Sequence, residues 1–114
     1  MTPRQLTVLI VEDGDEYLDN LSRFVPGPAY LQAHSGAEAV RVLEEQKVDL
    51  IYLDMRFDRI PERDLLGDLD AVTRDLNGDA MRARRHLQNN QGLYVLEALR
   101  QQGQGHLPVI LAYD

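Results

Sequence analysis

The stretch LTVLIVED, residues Leu6–Asp13, decides the fold. Its first six residues are aliphatic or β-branched without a break, and two carboxylates follow at once. A short continuous run of this kind is typical of a strand buried on both faces, as in a parallel sheet. The stretch VDLIYLD at Val48–Asp54 predicts a second buried strand that ends next to a carboxylate. The two stretches together predict a parallel sheet with acidic residues at its carboxyl edge.

The rest of the sequence alternates helical and extended patterns. Strands that alternate with helices predict an α/β fold with a doubly wound parallel sheet, in which right-handed crossovers place helices on both faces. The helix after Ser35 opens with the capping-box sequence SGAE. The other predicted helices are Asp15–Val25 and Gly92–Gln102, and the other predicted strands are Tyr30–Ala33 and Leu107–Tyr113.

The composition limits the class of protein. The chain has 114 residues, a formal net charge of −7 and no cysteine. A domain of this length buries roughly two-thirds of its surface without a metal or disulfide staple, and the lack of cysteine excludes thiolate metal sites. The longest nearly apolar run, Leu6–Val11, is far too short to span a bilayer, and Met1–Leu6 has no signal-peptide pattern. We therefore expect a cytoplasmic chain without membrane or direct nucleic-acid partners.

The charge divides the chain into two parts. Residues 56–91 carry seven cations and seven anions, so the whole net charge of −7 lies outside them. We interpret this segment as an electrically balanced insert within a single domain of residues 1–114. A structureless loop of this length is unusual in a compact domain. Patterns at Leu65–Leu76 and Asp79–Leu87 predict short helices, with the turn Asn77-Gly78 between them.

Three carboxylates are expected to meet at the carboxyl edge of the sheet, where open parallel sheets bind ligands. Glu12 and Asp13 follow the first strand, and Asp54 follows the third. At ~5 Å and an effective dielectric of ~20, two carboxylates repel by about 3 kcal/mol. Either one carboxyl holds a proton or a divalent cation lies among them, and oxygen-only ligands favour Mg²⁺. The simpler alternative is helix capping, with Asp13 or Asp15 at the N-cap and Glu16 in the first turn.

Five stretches carry a resemblance to one protein family. They are VLIVEDGDEY (8–17), SGAEAVRVLEE (35–45), VDLIYLDM (48–55), GLYVLEALR (92–100) and LPVILAYD (107–114). They resemble parts of bacterial response-regulator receiver domains. In the order given, these parts are the first strand with its acidic pair, the second helix, the third strand with its phosphoacceptor, the third helix and the fourth strand. The resemblance covers nearly everything outside the insert.

The resemblance implies a fold and a set of roles. The fold would be flavodoxin-like, with strand order 2-1-3-4 and with the fifth strand of the family absent from this chain. Asp54 would accept a phosphoryl group from a histidine kinase or phosphotransfer protein in a two-component phosphorelay. Glu12, Asp13, Asp54 and the backbone carbonyl of Arg56 would hold Mg²⁺. The domain would not be an enzyme, beyond catalysing its own phosphorylation and dephosphorylation.

The sequence departs from the family at three places. Asp54 and Gly92 are 38 positions apart where the family has a short loop, and we expect the insert to cover the site or to contact a downstream protein partner. The family's Ser or Thr after the fourth strand falls on Tyr113 or Leu111, depending on the alignment. The fifth strand with its active-site lysine is missing from this sequence, which leaves the fourth strand as an edge. We expect either a fragment of a longer chain or a short form whose edge strand pairs with a second copy in a homodimer.

These departures leave two other hypotheses open. A pseudo-receiver would keep the fold and some carboxylates but would work through protein contacts and not through phosphorylation. A Mg²⁺-dependent phosphohydrolase of similar topology would need a general acid beside the nucleophile, for which Asp58 is the candidate. Binding of a phosphoryl mimic at Asp54 would separate a receiver from a pseudo-receiver, and turnover of phosphate esters would favour the hydrolase.

Overall fold

Four parallel strands form one sheet. The computed structural model describes residues 5–113. Most of Met1–Leu6, where a signal peptide would begin, and Asp114, the last residue of the stretch that resembles a fourth strand, lie outside the described residues. The strands are β1 (Thr7–Val11), β2 (Ala29–Ala33), β3 (Leu50–Asp54) and β4 (Val109–Ala112). Their order is β2-β1-β3-β4 and every neighbouring pair is parallel. The strand order implied by the resemblance is therefore confirmed.

Helices connect these strands in the predicted alternation. Outside the insert, the observed bounds agree with the predicted ones to within about two residues. The predicted cap at Ser35 is present, because its hydroxyl oxygen accepts the N–H of Glu38 at 3.2 Å. The Glu38 carboxylate reaches back to the N–H of His34 at 3.3 Å, one residue before the partner of a capping box. No helix within residues 5–113 is long and apolar enough to cross a membrane. The helices are α1 (Glu16–Phe24), α2 (Gly36–Glu45), α3 (Leu69–Asp75), α4 (Ala80–Asn89) and α5 (Gln91–Gln101), with a 3₁₀ turn at Glu62–Asp64.

The main hydrophobic core lies between the sheet and the two helices α2 and α5. Alternate residues of each strand point to the same face, which separates this core from the face covered by α1. On that second face, the rings of Tyr17 in α1 and Tyr52 in β3 lie 5.2 Å apart. The main core is built from buried strand residues and buried helix residues, among them Leu9, Val11, Ile51, Leu53, Leu43, Val95 and Leu99.

The insert contains two short helices, as its sequence predicts. The second of them, α4, confirms the helix predicted at Asp79–Leu87, and the predicted turn is present, with positive φ at both Asn77 and Gly78. The first, α3, is shorter than predicted and begins at Leu69. The reason is the cap, since the Asp68 carboxylate accepts the N–H of Ala71 at 3.0 Å and so fixes the start of the helix.

Two buried residues, Phe57 and Gln91, tie the two ends of the insert together. Phe57 is fully buried, and its N–H donates to the carbonyl of Gln88 at 2.8 Å. Gln91 is also fully buried, and its Oε1 accepts the N–H of Leu66 at 2.6 Å. The Nε2 atom of Gln91 donates to the carbonyls of Leu66 and Leu87, both at 3.1 Å. These bonds join the two ends of the insert to each other, and the ring of Phe57 packs into the main hydrophobic core.

The helix α5 begins in contact with the end of β3. The N–H of Gly92 donates to the carbonyl of Met55 at 2.9 Å, and a methyl group on Gly92 would stand 2.7 Å from the carbonyl oxygen of Asp54. Glycine is thus required for this close approach. The apolar spacing predicts Leu93 on the core face, which is wrong: Leu93 is 47% exposed, whereas Val95 is fully buried. The contact at Gly92 sets the rotation of the helix.

Replacing Gln91 by leucine removes the partners of the N–H and carbonyl of Leu66. Because unpaired backbone groups keep their full desolvation penalty, Gln91→Leu should lower the free energy of unfolding by about 2 kcal/mol. Urea unfolding followed by circular dichroism measures the change. The control is Gln101→Leu in the exposed last turn of the same helix, expected within about 0.5 kcal/mol of the parent chain. Equal stability of the two variants would contradict the anchoring role.

Candidate functional site

A polar cavity of about 250 Å³ opens at the carboxyl edge of the sheet. Because β1 and β3 are adjacent and parallel, the residues at their carboxyl ends emerge side by side. Glu12, Asp13 and Asp54 all line this cavity, and Arg56 lines it with them. The structure thus brings together all four residues that the sequence assigns to the site. The predicted convergence of the three carboxylates is confirmed.

Glu12 is almost completely buried, with 1% of its surface exposed. Its carboxylate accepts the backbone N–H groups of Tyr17 and Leu18, both at 3.0 Å, and the side-chain amide of Gln32 at 3.3 Å. Burial raises the pKa of Glu12 above its usual value, and the three donors offset only part of that effect. Glu12 is therefore a structural carboxylate as well as a lining residue.

The hydrogen bonds of Glu12 cap the first helix. The capping alternative predicts Asp13 or Asp15 at the N-cap and Glu16 in the first turn, and the structure confirms Asp15 and Glu16 in these positions. The side chain of Asp15 makes no capping hydrogen bond, so the bonds to the first amides come from Glu12. A glutamate side chain is one methylene longer than aspartate, so Glu12 reaches from the end of β1 to the first amides of α1.

Asp13 fastens the start of the insert to the sheet edge. Its Oδ2 atom accepts the backbone N–H groups of Asp58 and Arg59, both at 2.9 Å. Hydrogen bonds to an ionised acceptor are stronger than neutral ones. The contact joins residues 45 and 46 positions apart, so it closes the first loop of the insert directly onto the acidic site. The insert is thus part of the cavity wall.

Asp54 is held at the end of β3 with 7% of its surface exposed. Its Oδ1 atom accepts the N–H of Arg56 at 3.3 Å. The backbone around it is enclosed, because the N–H of Met55 donates to Ala112 on β4 at 3.0 Å and Gly92 of α5 lies against the carbonyl of Asp54. The carboxylate of Asp54 therefore has a fixed position at the cavity.

Two arginines of the insert bring positive charge to this acidic cavity. Arg56 and Arg59 both line it, and the Arg59 guanidinium forms an ion pair with Glu16 at the start of α1. Their mutual hydrogen bond lowers the pKa of Glu16 and raises that of Arg59. No sequence pattern points to the side chain of Arg59, because its position depends on how the insert folds. The one feature of the sequence that could have indicated a role for Arg59 is its position, five residues after Asp54.

The donor set fits a hydrated Mg²⁺ better than a metal ion enclosed by side chains. Within residues 5–113, no group of three or more His, Cys, Asp or Glu side chains is arranged to hold a metal ion, and Glu12 is directed at backbone amides. Asp13, Asp54 and the carbonyl of Arg56 offer only oxygen, and Mg²⁺ is commonly held by one or two carboxylates with water in the other positions. The magnesium site stays a prediction.

The end of β4 supplies no small hydroxyl group next to Asp54. The residue of β4 level with Asp54 is Ala112. Leu111 precedes that level, and Tyr113 follows it with 70% of its surface exposed. Neither alignment of the family's Ser or Thr therefore places a serine or threonine hydroxyl at this edge of the cavity.

Comparison with known proteins places the chain by its fold. No protein-family model matches it, and no curated protein matches it. A response regulator receiver protein from Pseudomonas putida is 17% identical at a TM-score of 0.61, over 98% of this chain and 70% of that one. The MaeR response regulator bound to beryllium trifluoride is 19% identical at a TM-score of 0.57, over 96% and 67%. A receiver domain protein from Clostridium thermocellum is 18% identical at a TM-score of 0.55, over 95% and 64%.

These similarities show that the chain has the α/β receiver fold. At identities of 17–19%, they carry the architecture and not the roles of individual residues. The chain spans about two thirds of the length of each of those structures. The class that fold and site define is a receiver-fold domain with an acidic cavity at the carboxyl edge of its sheet.

Removing the Asp13 carboxylate should free the start of the insert. In Asp13→Ala the N–H groups of Asp58 and Arg59 lose their acceptor, so their exchange with deuterium should become about tenfold faster, the equivalent of 1.4 kcal/mol. Hydrogen exchange resolved by NMR measures both rates. Asp15→Ala, at the exposed neighbouring carboxylate, is the control and should leave the rates unchanged. Unaltered exchange in Asp13→Ala would show that this carboxylate does not hold the insert.

Proposed function

We propose that this chain is a receiver domain that accepts a phosphoryl group on Asp54 in a two-component phosphorelay. The observation that carries the proposal is the placement of Asp54. It ends the central strand β3, is 7% exposed, and lines the same cavity as Glu12 and Asp13. The fold supports the same proposal, since solved structures with this architecture are response regulators. The phosphoryl donor would be a histidine kinase or a phosphotransfer protein.

The proposed reaction is a phosphoryl transfer between two side chains. A carboxylate oxygen of Asp54 attacks the phosphorus of a phosphohistidine, and a P–O bond forms as the P–N bond breaks. The imidazole nitrogen keeps the electron pair of the broken bond and takes up a proton. The product is an acyl phosphate on Asp54. The hydrogen bond from the N–H of Arg56 orients the attacking carboxylate.

The acidic neighbours of Asp54 give Mg²⁺ a place in this proposal. Mg²⁺ bound here would neutralise charge on the phosphoryl oxygens. Asp13, Asp54 and the backbone carbonyl of Arg56 would hold it, and Glu12, fixed by the amides of α1, would add negative charge behind them. Without a cation, a phosphoryl group of charge about −2 on Asp54 would face the carboxylates of Glu12 and Asp13 in one cavity.

One observation favours a second candidate, the pseudo-receiver. The chain already uses its own groups to satisfy two of the carboxylates, since Glu12 accepts amides of α1 and Asp13 accepts amides of the insert. A site satisfied in this way is stable without a metal ion or a phosphoryl group. The domain would then act through protein contacts, with the surface of the insert as the contact region.

The remaining predictions from the sequence belong to the same proposal. A downstream protein partner would contact the insert, whose helices α3 and α4 pack on each other. The edge strand β4 carries Ile110 with 47% of its surface exposed, and a second copy pairing there would form a homodimer. The relay would operate in the cytoplasm, without direct contact to nucleic acid.

Binding of a phosphoryl mimic separates the two candidates. In the presence of Mg²⁺, beryllium fluoride should bind the parent chain and shift the NMR signals of residues around Asp54, because the mimic adds to a carboxylate and carries phosphoryl-like charge. Asp54→Asn should abolish these shifts. Asp64→Asn, at an exposed aspartate of the insert, should retain them. If the folded parent chain shows no Mg²⁺-dependent response to beryllium fluoride, the receiver proposal fails and the pseudo-receiver is favoured.

A further inference from the structure

We propose that Arg59, a residue of the insert, is a phosphoryl-binding residue that leaves Glu16 and contacts the phosphoryl oxygens on Asp54. The inference rests on the proposed function, because it assigns a residue to the modified form of the same site. It gives the insert a direct part in the chemistry. It also gives the acidic cavity a positively charged side chain, which the insert supplies and the ends of β1 and β3 do not.

The position of Arg59 is the first support. Its side chain lines the cavity together with Asp54 and is paired with Glu16, whose side chain also lines it. The guanidinium lies against the turn between β1 and α1, where a methyl group on Gly14 would overlap its Nη1 atom. Glycine at this position thus leaves space for the guanidinium at the rim of the cavity. Asp13 lies close enough for its charge to raise the pKa of Arg59 as well.

The backbone that carries Arg59 is fixed, which is the second support. The N–H of Arg59 itself donates to Asp13 at 2.9 Å, and two residues earlier Phe57 is fully buried and bonded to Gln88. Only the side chain of Arg59 has to rotate for a change of partner. A fixed backbone lowers the entropy that is lost when the guanidinium binds an anion.

The charges make the exchange of partners favourable. The side chains of Arg59 and Glu16 are 55% and 58% exposed, and a solvent-exposed ion pair of this kind contributes little. A phosphoryl group carries a charge of about −2 and three acceptor oxygens, which suit the planar guanidinium. The modified Asp54 therefore offers Arg59 a stronger partner than the single carboxylate of Glu16.

Substitutions at both ends of the ion pair test the inference by titration with Mg²⁺ and beryllium fluoride. Arg59→Gln should weaken binding of the mimic by about three- to tenfold, and Arg59→Lys should restore part of the loss. Binding of Mg²⁺ alone should not weaken in Arg59→Gln, because removing a cation does not disfavour a metal ion. A merely structural role of Arg59 would weaken both. The control, Arg63→Gln, changes an insert arginine that lines a different cavity.

The release of Arg59 from Glu16 predicts a second, opposite effect. Glu16→Gln should strengthen binding of the mimic, and this gain should vanish when Arg59→Gln is also present. A gain that persists in the double variant would show simple relief of charge repulsion and would overturn the inference. If the parent chain binds the mimic and Arg59→Gln binds it with unchanged affinity, the inference about Arg59 is overturned and the proposed function stands. If the parent chain does not bind the mimic, both the proposed function and the inference about Arg59 fail.

Discussion

The parallel pairing of β1 with β3 is the constraint on which the rest of this structure depends. It places the ends of the two most buried strands side by side, and these ends carry Glu12, Asp13 and Asp54. Three carboxylates in one cavity repel each other, so each needs partners that offset its charge. The amides of α1 stabilise Glu12, the amides of the insert stabilise Asp13, and the N–H of Arg56 contacts Asp54. The need to offset the negative charge of these carboxylates thus explains which groups surround them.

The insert is a wall of the site and not an appendage. Its first loop is closed by Asp13, its first buried anchor is Phe57, and its last is Gln91 at the start of α5. Because Asp13 accepts two amides of the insert and Phe57 packs in the main core, the insert holds a fixed position relative to Asp54. The surface of the insert is therefore connected to the acidic edge by hydrogen bonds of 2.9 Å from Asp13.

The sequence predicts the sheet well because its signals are local. The buried runs at β1 and β3, the N-cap at Ser35 and the turn at Asn77-Gly78 each act within a few residues, and each is present. The convergence of Glu12, Asp13 and Asp54 also follows, since topology alone brings the ends of adjacent parallel strands together.

The parts that could not be predicted depend on contacts distant in sequence. The bond from Arg59 to Asp13 spans 46 positions, and the staple from Gln91 to Leu66 spans 25. The hydrophobic periodicity of a sequence does not indicate which distant residues will contact each other. The role of Glu12 as the cap of α1 was missed for a different reason, because Asp13 and Asp15 are the usual capping type and only side-chain length gives the role to glutamate.

The most direct test of Asp54 as the phosphoacceptor is to phosphorylate the chain. The purified chain is incubated with Mg²⁺ and phosphoramidate, a small donor with a P–N bond, and its intact mass is measured. One phosphoryl group is expected to add to the parent chain and to be removed by hydroxylamine, as an acyl phosphate is, and none is expected to add to Asp54→Asn. A folded parent chain whose mass does not change, or an equal addition in Asp54→Asn, would contradict the assignment of Asp54 as the phosphoacceptor.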